Sequence, residues 1–141
     1  MRSALPTPVL VVDDEPHIGR IIKTRLEQGP FEVALAESGP AALESLASAQ
    51  DMRLLILDLM LPGMSGIDVL RQVRRDPRWE ALPCLILTAA GQEAQFREAE
   101  RLGVAEFMTK PFSPRRLYAR ALALTGLDDP DVDREPGALA S

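Results

Sequence analysis

Five short apolar runs punctuate the chain: Val9–Val12, Phe31–Ala36, Leu54–Leu57, Pro83–Leu87 and Val104–Met108. Three are almost continuously apolar, the pattern of strands covered on both faces. The run at Phe31 alternates more, which places it nearer a sheet edge. Between the runs, apolar positions recur at helical spacing. Ile18, Ile21, Ile22 and Leu26 share one face of a first helix. Leu43, Leu46 and Ala47 do the same in a second, after a Ser38 cap. The third opens with Ser65, followed three residues later by Asp68 in a capping-box pattern, and turns Ile67, Leu70 and Val73 inward. The fourth, over about Gln92–Leu102, carries only the thin stripe Phe96, Ala99 and Leu102. The fifth begins at Ser113 and Pro114 and runs to about Leu124, before Gly126. Strand then helix, five times over, predicts an α/β fold with a parallel sheet and helices on both faces.

The length of 141 residues, 46% of them hydrophobic, suits one ordinary domain with a sizeable core. That domain is expected over residues 1–127. The remainder, "DDPDVDREPGALAS", is polar, charged and turn-rich, and reads as a flexible tail or the start of a linker over 128–141. Of the net charge of −5, four units fall in this tail. The body therefore lacks the basic excess of a nucleic-acid-binding surface, and six aromatics give little stacking area for single strands. The single cysteine, Cys84, rules out an internal disulfide and a cysteine-based zinc site. No apolar run reaches membrane-spanning length, and "MRSALPTP" has no apolar signal-peptide core. The expectation is a cytoplasmic protein without membrane contact.

In a doubly wound sheet, ligands bind beyond the carboxyl ends of the strands. The residues directly after each run therefore matter most. They are Asp13 and Asp14 after the first, Asp58 after the third, Thr88 after the fourth and Lys110 after the fifth. Three carboxylates gathered at one edge need a counter-charge, and one lysine is insufficient. Oxygen ligands with no His or Cys among them point to a hard divalent ion, Mg²⁺ above all. Such an ion with a lysine and a hydroxyl suits a phosphoryl group. No separate base is needed if a carboxylate is itself the nucleophile, forming an aspartyl phosphate. The chain contains fourteen Arg and only two Lys, so Lys110 reads as a position that requires a compact ammonium. Glu15 reads as a helix-start residue favoured by the dipole. His17, in the first turn of the same helix, reads as a solvated position, with tuning of the site as the alternative.

The segments "VLVVDDE", "LLILDLMLPGMSG", "LILTA" and "FMTKPF" resemble the motifs of response-regulator receiver domains of two-component signalling, including the single-domain receivers of the chemotaxis type. The resemblance covers about residues 7–125. It implies a flavodoxin-like five-stranded sheet of order 2-1-3-4-5. It implies that Asp58 is the phosphoacceptor, fed by a sensor histidine kinase or a phosphotransfer protein. It implies that Asp14 and Asp58 ligate Mg²⁺ by side chain and Met60 by its backbone carbonyl, with Asp13 acting through water. Lys110 would pair with a phosphate oxygen, Thr88 would bond the phosphoryl group, and the small Ala89 would leave access. Phe107 holds the switch-aromatic position, and the Lys110–Pro111 bond is expected cis.

Alternatives remain at this point. A receiver-like docking module that is never phosphorylated would share the fold. A carboxylate-based phosphohydrolase would share Asp, Thr and Lys around Mg²⁺, but its DxD pair is missing, since Leu59 and Met60 follow Asp58. The strand "LLILD" also resembles the second motif of nucleotide-binding ATPases, but no GxxxxGK[ST] accompanies it. The chain leaves no room for an output domain after Leu127, so it reads as a stand-alone receiver that docks a protein target, or as a piece of a longer regulator. Leu117, Tyr118, Ala121, Leu122 and Leu124 cover more of the fifth helix than one packing face needs, which predicts a partner or homodimer surface there.

Overall fold

The computed structural model describes residues 5–89 and 91–127. The strands are β1 (Thr7–Val12), β2 (Phe31–Ala36), β3 (Leu54–Asp58), β4 (Cys84–Thr88) and β5 (Glu106–Thr109). The helices are α1 (Pro16–Leu26), α2 (Gly39–Ser48), α3 (Gly66–Arg75), α4 (Glu93–Arg101) and α5 (Pro114–Thr125). All four pairings are parallel, in the order β2-β1-β3-β4-β5. The chain thus forms one doubly wound sheet, and the alternating run at Phe31 lies at its edge.

Side chains alternate across the sheet and divide the core in two. Leu10, Val12, Leu55, Leu57 and Ile86 face α2, α3 and α4, meeting Ala42, Leu46, Ile67, Leu70, Val73 and Ala99. Val9, Val11, Ile56, Leu85 and Leu87 face α1 and α5, meeting Ile22, Leu26, Leu117, Tyr118 and Ala121. β3 and β4 are buried along their whole length, which explains why their sequences do not alternate.

Local chemistry sets the element boundaries. Ser38 Oγ accepts from the Ala41 amide, and Ser113 Oγ from the Arg116 amide. Ser65 and Asp68 form the reciprocal capping box. Gly126, at φ +71°, closes α5 in the left-handed conformation that favours glycine. β4 starts one residue later than its apolar run, because Pro83 has no amide to donate and contributes only its carbonyl, to Leu55. β5 starts at Glu106, not Val104.

Three packing expectations need correction. Ile21 is exposed, and Gly19 lies on the inward side of α1 instead. In α2, Ala42 and not Ala47 is buried. The broad apolar surface of α5 is taken up inside the chain. Leu117, Tyr118, Ala121 and Leu122 are all buried, because α5 packs on α1 as well as on the sheet. The Tyr118 ring meets Phe31 edge-on at 6.0 Å and carries the Arg25 guanidinium over its face at 4.1 Å. The homodimer expectation through α5 loses its apolar basis. The tail assigned to 128–141 lies outside the described residues.

Candidate functional site

The strand register assembles the site. Val12 lies beside Leu57, so the chain places Asp13 next to Asp58 one step further on. Asp58 lies beside Leu87, and Thr88 beside Thr109. The Lys110 amide donates to the Thr88 carbonyl at 2.8 Å, which fixes where the lysine leaves the sheet. The Lys110–Pro111 bond is cis, as expected. The residues at the ends of four strands therefore meet at one edge although nearly a hundred positions separate them.

Asp13 and Asp58 are buried, and Asp14 and Glu15 are exposed. One carboxylate oxygen from each of the four falls within 4.8 Å of the others. Lys110 Nζ bridges the group. It lies 2.9 Å from Asp13 Oδ2, 2.9 Å from Asp58 Oδ2 and 3.2 Å from Glu15 Oε1. Burial works against the lysine charge, but the Asp13 and Asp58 contacts outweigh it and hold its pKa well above the ordinary value. Burial pushes the Asp58 carboxyl up. The Met60 amide, donating to Asp58 Oδ1 at 2.9 Å, and Lys110 oppose this, while Asp13 adds to it. Four carboxylates against one ammonium leave an excess of negative charge in a partly buried pocket. The donors are all hard oxygens, so the group fits a divalent cation of the Mg²⁺ type.

Thr88 is fully buried, and its hydroxyl donates to Gln92 Oε1 at 2.7 Å. Ala89 is exposed beside it. Phe107 is half-buried and packs on Phe96 of α4, with ring centroids 4.7 Å apart. Every site residue named from the sequence except Phe107, Ala89 and His17 thus belongs to the acidic cluster or borders it at a strand end. His17 is exposed on α1 and takes no part in the cluster. Sequence reasoning missed two residues. Glu15 contacts Lys110, a role its place directly after the aspartate pair could have signalled. Gln92 carries no sequence signal at all, because only the fold brings it back to Thr88.

Close to the site, Gly66 opens α3. A Cβ there would lie 2.5 Å from the Asp58 carbonyl oxygen and 2.6 Å from Leu59 Cα. The glycine in "MSG" therefore lets α3 start against the backbone of the proposed acceptor.

Comparison with known proteins agrees with this geometry. The family model for the response regulator receiver domain matches residues 9–122. The chain belongs to that family, the receiver domains of two-component signal transduction. Among curated relatives, the transcriptional regulatory protein ResD of Bacillus subtilis is 40% identical over 84% of this chain and 48% of its own length. The phosphate regulon regulator PhoB of Pseudomonas aeruginosa is 37% identical, over 93% of this chain and 58% of its own. The chain thus spans about half the length of these two regulators. It matches chemotaxis protein CheY1 of Helicobacter pylori at 36% identity, over 86% of this chain and 98% of CheY1. The solved chemotaxis response regulator CheY4 of Vibrio cholerae superposes with a TM-score of 0.78 at 27% identity, covering 84% of this chain and 98% of CheY4.

Proposed function

We propose that this chain is a phosphorylation-activated receiver whose acceptor is Asp58. The observation that carries the reading is the Lys110 ammonium held 2.9 Å from both Asp13 and Asp58 inside a four-carboxylate cluster. That arrangement supports a carboxylate nucleophile beside a fixed cation, in a cluster of oxygen donors that fits a divalent ion. In the transfer, an Asp58 oxygen attacks phosphorus as the P–N bond of a phosphohistidine breaks. The electron pair of that bond stays on the departing imidazole. Lys110 moves its hydrogen bonding to a phosphoryl oxygen, and the Met60 amide keeps the Asp58 carboxylate oriented. Asp14, Asp58 and the Met60 carbonyl would hold Mg²⁺, with Asp13 acting through water. The ion supplies positive charge to the phosphoryl oxygens. Thr88 donates to the phosphoryl group once it is in place, Ala89 leaves it open, and Phe107 responds to the shift.

On this reading the protein is a switch, not an enzyme for other substrates, and it acts only on its own phosphorylation state. Its donor is a sensor histidine kinase or phosphotransfer protein, and its output is a downstream protein target. Residues 1–127 form the receiver unit. No helix among the described residues is long and apolar enough to cross a membrane, which fits a cytoplasmic switch.

The test is incubation with acetyl phosphate and Mg²⁺, followed by intact mass. One added phosphoryl group is expected, absent from Asp58→Asn and from samples with Mg²⁺ chelated. No addition to the wild type would favour the unphosphorylated docking module.

A further inference from the structure

The hydroxyl of Thr88 has a single proton to donate. It now goes to Gln92 Oε1 at 2.7 Å, with the Ala89 carbonyl a weaker second acceptor at 3.2 Å. Gln92 is the N-cap of α4. It provides no side-chain cap to its own helix, because that side chain is turned back to β4. The other helices start more firmly. α2, α3 and α5 have serine caps, and α1 has proline in its first turn. The first turn of α4 therefore depends unusually on its tie to Thr88. One turn later, at i+4 from Gln92, Phe96 rests on Phe107 of β5. Two side chains on one face of α4 thus touch Thr88 and Phe107.

We propose that Gln92 is the resting-state partner of Thr88, and that its amide oxygen competes with a phosphoryl oxygen on Asp58 for the one Thr88 proton. Phosphorylation then breaks the tie between β4 and the first turn of α4 and leaves that turn's contact through Phe96 in place. Conversely, the Gln92 bond opposes phosphoryl binding, so Gln92 sets how strongly the site responds. No bond other than hydrogen bonds changes. The inference rests on the phosphoacceptor reading of Asp58.

The experiment is a titration of the full chain with beryllofluoride and Mg²⁺, followed by calorimetry, in wild type, Gln92→Met, Thr88→Val and the double variant. Gln92→Met keeps the shape and removes the acceptor. It is expected to bind the mimic tighter than wild type by roughly three- to tenfold, the range of one net hydrogen bond. The gain should vanish in the Thr88→Val background, which a merely structural effect on α4 would not do. Gln92→Ser, too short to reach Thr88 but a good helix cap, should show the same gain with α4 well formed. If Gln92→Met and Gln92→Ser match wild type, or the gain persists without the Thr88 hydroxyl, the Gln92 role is overturned and the Asp58 reading stands. If wild type does not bind the mimic at all, the Asp58 reading fails and this inference falls with it.

Discussion

At Lys110 one ammonium faces three carboxylates, and the balance of charge at that point explains the behaviour of single residues around it. Asp58 is buried beside Asp13, and its carboxyl sits above the ordinary 3.8. A carboxyl raised in the fold adds stability below its ordinary pKa and loses it as pH rises through the higher value. At neutral pH the ionised Asp58 is therefore a cost. Asp58→Asn should raise the metal-free melting temperature. Mg²⁺ should then raise the melting temperature of wild type far more than that of Asp58→Asn. Thermal melts with and without the ion check both statements. Cys84 is a second residue set by burial, which lifts its thiol from 9.0 to about 11 against the opposing pull of Arg74. The same sign rule places its effect on the alkaline side. Its contribution is full below pH 9 and is lost by pH 11, roughly 3 kcal/mol in all. Denaturant melts across that window should show wild type losing stability relative to Cys84→Ala. Parallel curves would contradict the burial account.

The elements differ in how firmly their ends are fixed. α4 is tied at its C-terminal end by Arg74, whose guanidinium donates to the carbonyls of Leu102, Gly103, Trp79 and Leu82. Its N-terminal end is tied through Gln92 to Thr88 and through Phe96 to Phe107. Arg74→Ala should cost about 2 kcal/mol, as hydrogen bonds from a charged donor do, and Arg74→Lys should restore little because one ammonium cannot reach four carbonyls. Amide exchange should quicken first around Leu102, whose amide bonds Glu98 and Ala99. At α3, Gly66→Ala should destabilise by roughly 1–3 kcal/mol through overpacking on backbone that cannot yield, and should slow phosphorylation by displacing Asp58. The helix caps and strand cores were legible in the sequence, since each depends on neighbours within a few residues. Helix faces were legible only in part. Ile21 and Ala47 fit a helical stripe as well as Ile18 and Leu46 do, and which side turns inward depends on where the helix lands on the sheet. The α5 surplus was misread for the same reason, because packing on both α1 and the sheet needs a wider apolar face than a single contact.

For the whole molecule, the decisive fact is that four strand ends from distant parts of the chain converge. Asp13, Asp58 and Lys110 could be named from the sequence because a parallel sheet sends every strand end to the same edge, and Glu15, next to the aspartate pair, carried a signal that was passed over. Gln92 could not, because its contact depends on how α4 returns over that edge. The two halves of the core support this edge, and α4, joined to it through Gln92 and Phe96, is the element we propose to respond. Asp58 is the residue proposed to carry the phosphoryl group. The most direct measurement is reduction of acetyl-phosphate-treated protein with borohydride, which converts an aspartyl phosphate to homoserine, followed by peptide mass mapping. Homoserine at position 58, formed only with Mg²⁺ present, is the predicted result. Homoserine at position 13 or 14, or at none, would contradict it.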